Sequence, residues 1–224
     1  MAVRMDKPGM PGFYSAGEIK SDRAVHAIGT LVSPIAVAVL LGIAIARDRG
    51  AQLAGVLIYS AGLLAMLGFS AAYNLAREPR RKELLRRFDH AAIFLMIAGT
   101  YTPFIAHVAD PGWRWGLMTA VWVTALAGIA IKLLLPRRRD GLSVAIYLCL
   151  GWIAAVAPRT LLDGLETRVV TLLALGGGLY TLGVAFHLWH RLRFHNTIWH
   201  GAVIVAAGFH YCAVLLGIVL VPAG

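Results

Sequence analysis

Residues 88–104 read FDHAAIFLMIAGTYTPF. Asp89 and His90 open the run, and an uncharged stretch follows that holds Gly99, Thr100, Tyr101, Thr102 and Pro103. A carboxylate in or beside hydrocarbon costs several kcal/mol unless it is partnered. An aspartate at the mouth of an apolar run therefore demands a partner elsewhere in the chain. Finding that partner amounts to deciding how the apolar segments pack.

The rest of the chain is of the same kind. Of 224 residues, 59% are hydrophobic and only 14% are charged. Soluble domains are about half apolar and about a quarter charged. The composition is that of an integral membrane protein. A net charge of +10 then reflects cationic loops gathered on one side of a membrane, not a nucleic-acid surface. Cys149 and Cys212 lie inside apolar runs and read as small buried hydrophobes, with no disulfide or zinc-finger spacing. The first 23 residues lack the apolar core of a cleavable signal peptide.

A helix needs roughly 20 apolar residues to cross a bilayer. Seven runs qualify, at about 24–46, 51–73, 88–108, 114–135, 141–158, 168–189 and 197–222, the fifth being the shortest. The expectation is an all-α polytopic membrane protein with seven transmembrane helices in 24–222, after a cytoplasmic N-terminal segment 1–23. Placing the N-terminus in the cytoplasm puts sixteen of the 21 Lys and Arg on the inside and leaves five outside: Arg47, Arg49, Arg114, Arg159 and Arg168. The C-terminus then lies outside. Trp113, Trp115, Trp152, Trp189 and Trp199 fall at or near span ends, as in an interfacial aromatic belt.

In this topology several polar residues meet at the cytoplasmic ends. Asp22 and His26, Ser70 and Asn74, and Asn196 and His200 are each spaced i, i+4, so each pair shares one helix face. Asp89 joins them from the third span. Such convergence describes a polar chamber a little way into the membrane, and intramembrane ionisable groups are functional candidates. Plainer roles are open to each residue alone. Asp89 could cap the third helix and Asn196 the seventh. Ser70 could bond a carbonyl of its own helix. His187, His190 and His195 sit among arginines, as in a headgroup-facing loop.

The run DHAAIFLMIAGTYTPF, the SAAYN before it, the AVHAIG of the first helix and the IWHGAVIVAAGFHY of the last resemble the hemolysin III family. That family sits in the PAQR superfamily with the adiponectin and progestin receptors, and the resemblance runs in order over nearly the whole chain. It implies seven helices and a zinc ion near the cytoplasmic face. The implied ligands are a histidine in S-x3-H ending the second helix and two in H-x3-H on the seventh. A helix-3 aspartate would hold a zinc-bound water. Ceramidase-like amide hydrolysis is associated with the superfamily, and cytolysis or membrane-lipid homeostasis with its bacterial members.

Two ligand positions depart from that pattern. The S-x3-H histidine is Asn74, and the first histidine of H-x3-H is Asn196. His195, one residue away, is turned about 100° around the helix. The helix-1 motif reads Asp22-x3-His26, with Glu18 one residue out of register. The metal positions carried over are thus Asn74, Asn196 and His200, and the catalytic ones Asp89, Ser70 and His26. Asparagine is a poor zinc ligand, and zinc sites use three or more His, Cys or carboxylate donors. The expectation is weak or absent zinc, held if at all by His200, His26 and Asp89. The other arrangement is a metal-free chamber in which Asn74 and Asn196 bond Asp89 and Ser70.

Two functions fit. One is a membrane protein of lipid homeostasis or sensing in a bacterial inner membrane, with membrane lipids as partners and no nucleic acid. The other is a zinc-dependent hydrolase of a lipid amide or ester. Both require the same topology. Reporter fusions after Arg87 and Arg139 should report cytoplasm, and a fusion after Gly224 the opposite side; a cytoplasmic C-terminus would remove one span, most readily the fifth.

Overall fold

A computed structural model describes residues 14–135, 140–153 and 164–221. Among them the chain is all helical. The helices are α1 (Ala16–Ala46), α2 (Gly50–Leu75), α3 (Pro79–Ile105), α4 (Pro111–Leu134), α5 (Asp140–Gly151), α6 (Thr167–Leu188) and α7 (His195–Val214). A π-helical turn, Leu215–Val219, continues α7. Six of these are long and apolar enough to cross a membrane, the last counted through Val219; the apolar part of α5, Gly141–Gly151, is shorter. The fifth expected span, 141–158, runs partly outside the described residues.

Two helices begin earlier than hydropathy suggests. The first expected span starts at 24, yet α1 starts at Ala16. Ser15 accepts from the Glu18 amide while Glu18 bonds back to Ser15, a capping box that starts the helix within polar sequence. Likewise α3 starts at Pro79, with proline in its first turn and Glu78 as N-cap. The next turns, RRKELLRR, are strong helix formers but too charged to register as a span. Asp89 therefore lies ten residues past Pro79, inside the helix, and does not cap it. Nor does Asn196 cap α7: that position is Phe194, in the left-handed region at φ 59°.

Neighbours in sequence pack together, and α1 meets α7 to close the bundle. The tightest seam joins α2 and α3. A Cβ on Gly62 would stand 3.1 Å from the Leu95 carbonyl and the Met96 Cα, and one on Gly99 3.1 Å from the Ile58 carbonyl. Such small-residue contacts let backbones approach in membranes, where apolar surface alone gives no drive to associate. Thr100 and Thr102 of α3 are buried and donate to Met96 and Ala98 one turn back, at 2.8 and 2.7 Å, and Thr102 also accepts from the Trp122 indole of α4 at 3.1 Å. Outward-facing surfaces stay apolar, with Leu31, Ile35 and Leu134 exposed by 66–78%, as lipid contact requires. Trp113, Trp115, Trp152 and Trp189 are exposed, whereas Trp199 packs on His187 of α6, ring centres 5.3 Å apart.

Close approach at Gly62 gives a test. Gly62→Val should cost roughly 1–3 kcal/mol through overpacking and lower the thermal unfolding midpoint in detergent. Gly42→Ala, whose methyl would meet nothing within 4 Å, should leave it unchanged.

Candidate metal centre and chamber

The early start of α1 carries Asp22 and His26 into the bundle on one face, buried to 7% and 8% exposure. Asp22 is the node. Its Oδ1 lies 2.7 Å from His200 Nδ1 on α7. Its Oδ2 accepts from the Asn74 amide on α2 and lies 3.7 Å from His26 Nε2. The rings of His26 and His200 stand 4.2 Å apart. Asp22, His26 and His200 each offer one ligand atom, all within 4.8 Å of one another.

That donor set fits a divalent metal. Two imidazoles and one carboxylate form a recognised zinc-binding combination, and three protein ligands leave a position open. His26 Nε2 is buried and, among the described residues, has no hydrogen-bond partner. An orphaned ring nitrogen facing a carboxylate is what a metal would satisfy. Asn74 is tied to Asp22 as a donor and thus orients the carboxylate.

Three interactions fasten α1 to the start of α7 and keep these groups opposed. Glu18 Oε1 accepts from the Phe194 amide at 3.1 Å, holding its left-handed backbone. Ser21 and Thr197 share a 3.0 Å hydrogen bond. The Tyr14 hydroxyl accepts from the Asn196 amide at 3.1 Å and lies 3.4 Å from His195 Nε2. Burial pushes the Tyr14 phenol up to about 12, against the lowering effect of the Asn196 bond.

The centre lies at one end of a cavity of about 2300 Å³. Small-molecule pockets are usually about 300–1,000 Å³. Along α3 the cavity wall extends from Pro79 to Phe104, and its stretch from Asp89 to Phe104 rises about 22 Å at 1.5 Å per residue. Below the polar end the lining is largely apolar, including Ile93, Ile97, Leu148, Leu173 and Val184. Polar closures lie along it: Tyr101 donates to the Gly151 carbonyl at 2.7 Å, and the Trp152 indole to Thr181 at 2.9 Å.

All six residues singled out from the sequence line this chamber: Asp89, Ser70, His26, His200, Asn74 and Asn196. Asp89 is hydrogen-bonded by Ser70 and feels the His200 ring. The asparagines make different bonds from those expected, to Asp22 and Tyr14 instead of Asp89 and Ser70. The carboxylate of the three-residue centre is likewise Asp22, not Asp89. The i, i+4 pairing with His26 was the signal for Asp22; its precedence over Asp89 appears only when α1 meets α7.

The haemolysin-III-related family profile matches residues 22–211, and so begins at Asp22. The chain belongs to this family. The Hemolysin-3 homolog of Bacillus subtilis is 32% identical over 209 residues, which is 93% of this chain and 98% of that protein. Hemolysin-3 of Bacillus cereus is 32% identical over 190 residues, 85% of this chain and 87% of that protein. The human Monocyte to macrophage differentiation factor is 28% identical over 172 residues, 70% of this chain and 67% of that protein. No solved structure matches the chain. With six long apolar helices and these relatives, it is a multi-pass membrane protein of the haemolysin III kind.

The shared carboxylate yields an order of effects. Asp22→Ala strips partners from His200 and Asn74 and should cost roughly 1–3 kcal/mol. Asn196→Ala removes only the bond to Tyr14 and should cost less. Thermal unfolding of both variants in one detergent checks this; equal losses would show that Asp22 is not the node.

Proposed function

We propose that the chain is a seven-span protein of a bacterial inner membrane, N-terminus in the cytoplasm and C-terminus outside. Its chamber holds a zinc ion among Asp22, His26 and His200 and receives membrane lipid, in the service of membrane-lipid homeostasis or sensing. The observation that carries this reading is the three-residue centre, with its orphaned His26 nitrogen, at the polar end of a long apolar cavity. The distribution of Lys and Arg supports the orientation. Weak or absent zinc was expected because Asn74 and Asn196 replace histidines. Asp22 offers a carboxylate donor in the place given to Asp89, so the three donors are Asp22, His26 and His200.

The same geometry favours a second reading, hydrolysis of a lipid amide or ester. When bound, zinc would supply Lewis-acid activation of a carbonyl and of water. Asp89, held by Ser70 and near His200, is placed to take a proton from water at the chamber wall. Asn74 holds the Asp22 carboxylate. The apolar walls would keep the chains of a substrate out of water.

Elemental analysis of the purified protein decides between metal and no metal. One zinc per chain is expected, lost in Asp22→Ala and in His200→Ala and retained in His190→Ala. Asn74→His combined with Asn196→His should not raise the stoichiometry. Wild type well below one zinc, rising to one in that double variant, would restore the original expectation and remove the centre proposed here. For the hydrolase reading, zinc-loaded protein should release fatty acid from a lipid amide or ester, and Asp89→Asn should abolish release while leaving zinc content intact.

A further inference from the structure

Around its polar end the chamber is cationic, beyond what the centre itself requires. Arg23 of α1, Arg77 between α2 and α3, and Arg191 between α6 and α7 all line it and are all exposed. Lys82 and Arg86 of α3 and Lys132 of α4 line it too. The acids in the same wall are engaged. Glu18 holds Ser15 and Phe194, Asp22 holds His200 and Asn74, Glu83 pairs with Arg86 and Arg87, and Asp89 bonds Ser70. None of them pairs with Arg23, Arg77 or Arg191, which have no acidic partner among the described residues.

Arg193 lines the chamber too, but beside Glu18, so three guanidinium groups without an acidic neighbour, from separate parts of the chain, border one opening. Guanidinium is the side chain best matched to phosphate, which it grips through paired N–H donors. Beyond the centre the wall turns largely apolar, from Ile93 to Phe104 along α3, a rise of about 16 Å. We propose that Arg23, Arg77 and Arg191 form a phosphate-recognition rim, so that the chamber takes an anionic phospholipid in preference to a neutral one. This deepens the lipid reading above and rests on it. The phosphate chemistry alone would also suit free phosphate, but free phosphate would make no use of the apolar walls.

The test uses the full chain, purified in a neutral detergent. Dioleoyl phosphatidylglycerol, dioleoyl phosphatidylcholine and inorganic phosphate are titrated separately, with bound lipid read by native mass spectrometry and protection by thermal shift. Phosphatidylglycerol should bind at least tenfold tighter than phosphatidylcholine, and phosphate alone should give no comparable protection. A basic residue near a membrane surface contributes roughly fivefold to anion affinity. Arg77→Gln alone should therefore weaken phosphatidylglycerol binding by about that factor. The triple variant Arg23→Gln, Arg77→Gln, Arg191→Gln should erase the preference with its zinc content unchanged. Arg80→Gln with Arg81→Gln, two exposed cations that do not line the chamber, should keep it.

Equal binding of the two lipids by wild type would overturn the rim but leave the lipid chamber standing. Binding of neither would overturn both. Protection by phosphate as strong as by phosphatidylglycerol would replace the lipid with a free anion and overturn the proposal. So would loss of preference in the Arg80 and Arg81 variant, which would reduce the effect to general surface charge.

Discussion

A buried carboxylate in a membrane protein has to be answered by its neighbours, and Asp22 is answered from three helices. His200 comes from α7, Asn74 from α2 and His26 from one turn along α1. Each partner satisfies part of an acceptor that would otherwise be costly to hold there. The placement of α1 follows from this. Its capping box, the grip of Glu18 on Phe194 and the Ser21–Thr197 bond all hold its first turns against α7. Without that docking neither Asp22 nor His26 would reach His200.

Around this node the bundle is assembled in two ways. On one side, backbone contacts at Gly62 and Gly99 draw α2 and α3 together and leave no space between them. On the other, α6 and α7 pack closely on each other, and they line the chamber together with α3 and α5, with hydrogen bonds such as Trp152 to Thr181 at its wall. The rigid seam fixes Asp89, Ser70 and Asn74 relative to one another, while the open side provides volume. A polar end joined to a long apolar space has the form of an amphiphile, and the proposal of a lipid occupant rests on that form.

Much of this was legible in the sequence, and what was not has physical causes. The long helices follow from apolar runs, because in hydrocarbon the backbone must satisfy itself. The starts of α1 and α3 were hidden because hydropathy is blind to charged helical turns such as RRKELLRR. Asp89 therefore looked like a cap and is an interior residue. The six singled-out residues line one chamber because i, i+4 stripes and the fold order place them at the same end. Their bonding was not legible. The choice of Asn74 for Asp22, and of Asn196 for Tyr14, depends on how α1 is turned against α2 and α7, a long-range matter that local spacing does not encode. Asp89 drew attention because a long uncharged run follows it, whereas Asp22 lies between Ser21 and Arg23 and looks like ordinary polar sequence.

Because the Asp22 centre joins the first described helix to the last, it is absent from every shorter nascent chain. While α2 to α6 are being made, Asp22 and His26 wait on α1 without His200, which lies 178 residues beyond Asp22. Helices inserted in order must each be in place before α7 can dock beside α1. Completion of the centre thus coincides with completion of the bundle. A chain stalled or truncated before α7 would keep Asp22 without its His200 partner, chemically distinct from the finished protein and open to recognition as incomplete.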